Sequence, residues 1–147
     1  MSNEIQRHAV NPIAIRLGYA GLIPFVLGAL LVWLVREDAH PYVVEGLSAY
    51  AAMVLSFLGA IHWGLGMRQT VPSPTPFIWG VVPALLAWIA VIMPAYAGLV
   101  VHGVMLLVCY AVDRRSYPAL GASAWLTLRF RLSVGAALAC FIAAKGT

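Results

Sequence analysis

The chain has 147 residues, of which 63% are hydrophobic and 10% charged, with nine lysines and arginines against five carboxylates. A soluble domain carries about 25% charged residues, so this composition excludes an ordinary water-soluble fold, whose surface so few charges would not cover. The net charge of +4 does not describe a nucleic-acid-binding domain either, because the basic residues lie between apolar runs, where they set orientation and meet lipid headgroups.

Lipid is the alternative solvent, and there the backbone must close its own hydrogen bonds as helices or as a sealed barrel. The apolar residues come in long continuous runs rather than alternating segments of ~10 residues. The prediction is an all-α, polytopic membrane helix bundle of about five transmembrane helices. Residues 1–16 are polar, carry Arg7 and Arg16, and form an N-terminal segment ahead of one bundle domain over 17–145. The first span, 17–35, is uncharged and about 28 Å long as a helix, close to the hydrocarbon thickness. It holds Gly18, Gly21, Pro24 and Gly28; a proline in mid-span frees a carbonyl and predicts a kink. A cleaved signal peptide would be shorter and end at small residues, which Arg36, Glu37 and Asp38 do not supply.

The second span, 44–66, has Glu45 in its first turn and His62 near its end, and the alternating Pro72, Pro74 and Pro76 stop it. Along it Ser48, Ala52, Ser56, Ala60 and Gly64 recur every fourth residue. In lipid, helices associate through close backbone approach at small residues, so this ladder is expected to be a packing seam, within the molecule or across a dimer. Spans three and four, 77–93 and 97–112, form a hairpin reversed at Pro94. The last span, 124–144, contains only 13 uncharged residues in succession, about 20 Å of helix. A helix capped by Ser123 would take in Arg129 and Arg131, which point to opposite sides, one to the headgroups and the other into protein. Four spans plus an interfacial helix is the alternative. Cys109 and Cys140 fall in different halves of the bilayer and are not expected to bridge.

Lysine and arginine placement puts the N-terminus on the cytoplasmic side of the membrane: Arg7, Arg16, Arg68, Arg114, Arg115, Arg129 and Arg131 then lie inside, and only Arg36 and Lys145 outside. Ionisable groups within a membrane are usually paired or functional. His62 and Asp113 fall at the same inner depth, and with Arg114, Arg115 and Tyr19 they form the candidate polar cluster. His102, Tyr96 and Glu45 share the outer depth. His62 and His102 lie at opposite sides and cannot share an ion. There is no glycine-rich phosphate loop, no His-Glu-x-x-His, no Cys-x-x-Cys and no serine elbow, so no catalytic residue, cofactor or metal is assigned.

Three stretches, 17–25, 56–64 and 112–115, resemble the transmembrane protein 69-like family of small inner-membrane proteins, a domain of unknown function; the basic stretch 128–132 is similar to the family's approach to its last span. The resemblance covers about 12–144 and implies a multi-span inner-membrane protein, with no reaction attached. The expected function is non-enzymatic: an accessory or assembly component working by helix–helix association, with membrane lipids and a second copy or another membrane protein as partners. The alternative is a small transporter, proton pathway or lipophilic-ligand-binding protein that uses the His62–Asp113 corner.

Overall fold

The computed structural model describes residues 9–147. Arg7, counted above on the cytoplasmic side, lies outside the described residues. Helix α1, Pro12–Ala20, starts where the Asn11 side chain accepts the Ile13 N–H at 2.8 Å, with Pro12 in the first turn. There a missing N–H costs nothing. The helix therefore begins within the stretch assigned to the polar N-terminal segment. Pro24 has no N–H to offer the Ala20 carbonyl, and the chain breaks at Gly21 and Leu22 before resuming as α2, Ile23–Leu34. Tyr50 donates its hydroxyl to Gly21 O at 2.9 Å, satisfying one carbonyl left over at the break.

Helix α3, His40–Met67, is 28 residues long, about 42 Å. Because it starts at His40 with Pro41 in its first turn, Glu45 is not in the first turn; it lies further along, exposed. Helix α4, Thr75–Ile92, opens with Pro76 and keeps a buried Pro83 inside it. Helix α5, Ala95–Ser116, runs past the predicted end at 112, so Asp113, Arg114 and Arg115 are helical. A short 3-10 turn, Ser123–Trp125, leads into α6, Leu126–Lys145. Ser123 makes no capping hydrogen bond, which corrects that expectation. Counting α1 with α2 and the 3-10 turn with α6, five helical segments among the described residues are long and apolar enough to cross a membrane, the last being Ser123–Lys145.

Helix α3 packs most extensively on α4, and α5 on α6. Helix α2 lies against both α3 and α6, while α1 rests mainly on α6, and lightly. The centre is filled by small and branched side chains, among them Ala51, Leu55, Leu99, Leu106, Ala137 and Cys140. Both cysteines are buried and free. Leu30, Phe57, Trp88 and Ile142 are exposed, as expected of a bundle whose outer solvent is lipid. His40 Nε2 donates to Gly146 O at 3.0 Å and Trp33 Nε1 to Ile142 O at 3.3 Å, fastening the α2–α3 corner to the end of α6.

Within the molecule the small-residue ladder is not one seam. At 3.6 residues per turn, each four-residue step advances about 40° around the helix, so five rungs wind from one side of α3 to another. Ser48 is buried, Ala52 is half-buried, and Ser56, Ala60 and Gly64 are exposed. A Cβ at Gly64 would meet nothing within 4 Å. The close approach of α3 and α4 falls instead at Gly59 and Gly80: a Cβ on Gly59 would collide with the Gly80 carbonyl. Trp63 closes the same seam, its indole N–H donating to Phe77 O at 3.0 Å.

Candidate functional site: a buried polar triad beside an apolar cleft

His62 sits on the inward side of α3, Asp113 in the last turn of α5, and Arg129 in the first turns of α6. All three are buried, exposed by 2%, 1% and 7% respectively. His62 Nε2 donates to Asp113 Oδ1 at 2.8 Å, and Arg129 donates to Asp113 Oδ2 from Nε at 2.9 Å and from Nη2 at 2.7 Å. The guanidinium and carboxylate balance each other's charge, and both carboxylate oxygens are occupied. Such a closed pair joins elements and leaves neither carboxylate oxygen without a partner. It ties α3 to α6 through α5, although α3 and α6 share no packed seam of their own.

His62 and Asp113, placed at one depth from the sequence, do meet. Arg114 and Arg115 do not join them: both are exposed, because each residue along a helix turns about 100° from the last. There they complement the C-terminal end of the α5 dipole. Arg129 takes the place assigned to them. The signal available for it was the Arg129/Arg131 pair pointing to opposite sides, and Arg131 is indeed exposed, donating from Nη1 to the Tyr19 hydroxyl at 3.3 Å. Tyr19 therefore belongs to this outer contact and not to the triad. Tyr117, absent from the sequence prediction, is buried with its ring centroid 5.8 Å from that of His62. Burial, aided by the Asp113 charge, pushes its phenol up to about 12, so the hydroxyl stays protonated near neutral pH.

Arg129 and Tyr117 also form part of the wall of a cavity of about 600 Å³, whose rim includes Arg68 and Trp125. A second cavity of about 350 Å³ continues deeper into the bundle, past Phe25, Tyr50, Leu106 and Ser133. The two share Leu17, Gly18, Phe57, Leu58, Arg129 and Leu132, and so form one cleft between α1, α3 and α6. The break at Gly21 explains it. Above the break the span packs on both α3 and α6; below it α1 rests mainly on α6, with Gly18 against Leu132, and leaves much of α3 uncovered. Leu17 and Phe57 are both lining residues and exposed on the outside of the molecule, so the cleft opens sideways. Ser133, fully buried in the wall of the deeper part, has no hydrogen-bond partner for its hydroxyl.

At the other end of the bundle, His102 is buried and its Nε2 lies 3.0 Å from Ser48 Oγ, the first rung of the ladder. Its Nδ1 is unpartnered. Glu45 and Tyr96, grouped with it from the sequence, remain exposed.

A family described as "Protein of unknown function (DUF3429)" matches residues 10–145. Transmembrane protein 69 of Xenopus tropicalis is 42% identical over 82 residues, which is 54% of this chain and 32% of that protein. Transmembrane protein 69 of Mus musculus is 32% identical over 82 residues, 54% of this chain and 33% of that protein. The aligned stretch thus spans about a third of the length of these relatives. No solved structure matches the chain. With the match running through all five apolar helical segments, the chain is a multi-pass membrane protein that belongs to the DUF3429 family of unknown function.

Proposed function

We propose that this protein binds a lipophilic molecule in the cleft between α1, α3 and α6. One observation carries the reading. The cleft has nearly apolar walls, a volume in the range of ligand sites, a lateral opening, and a floor of buried polar groups at Arg129 and Tyr117. The triad serves as that floor and holds α3 and α6 at a fixed distance, so the space between them does not collapse. A proton pathway through His62 and Asp113 is less well supported, because both carboxylate oxygens are already bonded.

The test is photolabelling of the purified protein with a long-chain alcohol carrying a diazirine. Adducts are expected on Phe57, Leu58 and Leu132, and the variant Leu17→Trp, which fills the opening from an exposed position, should lower them several-fold. Label spread evenly over lipid-facing residues such as Trp88, and unchanged in Leu17→Trp, would overturn the reading.

Association with a further helix is a second reading. It is favoured by Ser56, Ala60 and Gly64, which leave a small, uncovered strip on α3 where a second copy or another membrane protein could pack as an accessory or assembly contact. The inner membrane, with the arginine-rich end of the bundle and the N-terminus in the cytoplasm, is the location that fits the charge distribution.

A further inference from the structure

We infer that the occupant of the cleft is a phospholipid with an anionic headgroup, held at Arg68. The inference rests on the lipophile-binding reading and adds the headgroup to it. Three observations lead there.

The first is charge. Arg68 caps the end of α3 and stands on the rim of the larger cavity. Among the described residues it has no carboxylate partner. The exposed carboxylates Glu37, Asp38 and Glu45 all lie at the opposite end of the bundle, and Asp113, at the same end as Arg68, is fully engaged by His62 and Arg129. The exposed charges at this end, Arg16, Arg68, Arg114, Arg115 and Arg131, are therefore all positive among the described residues. An anionic group is the chemistry that completes them.

The second is depth. Along α6 the wall runs from Trp125 at the rim to Ala136 at the inner limit, about 16 Å of helix. That is half of the ~30 Å hydrocarbon core, the depth of a single leaflet. Along α3 the lining runs further, from Arg68 to Tyr50, about 27 Å, so a molecule with its headgroup at Arg68 has room for a leaflet's length of chain along Leu17, Leu58 and Leu132.

The third is access. The opening past Leu17 and Phe57 faces sideways, so an acyl chain enters from the membrane itself without crossing water. Trp125 at the rim is the amphipathic side chain expected at headgroup level.

The experiment is native mass spectrometry of the detergent-purified protein, loaded from mixed micelles of phosphatidylglycerol or phosphatidylcholine with identical acyl chains. One phosphatidylglycerol should be retained in preference to phosphatidylcholine by about fivefold, the factor expected of one arginine beside an anionic headgroup. Arg68→Gln should bring that ratio close to one, Arg115→Gln should leave it unchanged, and Leu17→Trp should abolish retention of both lipids. If Arg68→Gln keeps the ratio while Leu17→Trp still removes both lipids, the headgroup assignment is wrong and the cleft reading stands. If Arg115→Gln lowers the ratio as much as Arg68→Gln, the preference is a diffuse charge effect and the assignment at Arg68 falls. Full retention in Leu17→Trp would remove the cleft reading itself.

Discussion

With one oxygen of Asp113 taken by His62 and the other by Arg129, removing any member leaves a buried polar group with nothing to bond. Breaking a buried ion pair from one side typically costs about 3–5 kcal/mol, whereas replacing both partners by apolar groups is often close to neutral. Asp113→Asn and Arg129→Met should therefore each lower the thermal midpoint in detergent steeply, and the triple variant His62→Phe/Asp113→Leu/Arg129→Met, which leaves no member without its partner, should recover much of the loss. If each single variant unfolds like the parent, the triad is not what holds α3, α5 and α6 together. His62 and Asp113 were legible from depth alone, since both fall near the same end of their helices. Arg129 was only half legible: opposite orientation of Arg129 and Arg131 follows from their spacing, but which of them turns inward depends on how α6 sits on α5. Arg114 and Arg115 misled because neighbours in sequence are not neighbours on a helix surface.

Among the helices, α3 carries the sharpest contrast between pattern and packing. The fourth-residue repeat from Ser48 to Gly64 is real in the sequence, yet the helical repeat winds it away from any one neighbour. Gly59, off the ladder, makes the close approach that the ladder was expected to make. What identifies it is the facing Gly80 on a different helix, a partner that a one-dimensional pattern does not contain. Gly59→Ala should reduce the thermal midpoint in detergent by several degrees, because its Cβ collides with backbone that cannot move aside. Gly64→Ala should be neutral or slightly stabilising, since alanine is the better helix former by roughly 0.5–1 kcal/mol and the space is open. In the same series Ser56→Leu should leave the monomer stable; a parent that elutes larger than a monomer, reduced to monomer size in Ser56→Leu, would mark the strip as an association surface. Equal tolerance at Gly59 and Gly64 would contradict the seam as described.

At the scale of the whole molecule, the number of spans was legible because hydrocarbon thickness sets a length that apolar runs either reach or miss. The last span looked short because Arg129 and Arg131 were both counted as charges that bound its apolar run; Arg131 stays at the exposed surface, bonded to Tyr19. Paired with Asp113 inside the protein, Arg129 interrupts nothing, and the helix continues through it. Five spans place the two ends of the chain on opposite sides of the bilayer. Reporter fusions that fluoresce only in the cytoplasm should be bright at the N-terminus and at the 68–75 loop, and dark at the C-terminus. A bright C-terminal fusion would contradict the five-span topology or its orientation.

The break at Gly21 and Leu22 makes the first span two rods with a joint rather than one post. The upper rod, α2, is wedged between α3 and α6, while the lower rod, α1, leans on α6 by one side. Levers of this kind amplify small angles: a tilt of about 10° at the joint carries the far end of a nine-residue rod through about 2 Å. Tyr50, bonded to the joint from α3, stands at the fulcrum. The width of the cleft mouth is thus set by the angle of a single pivot.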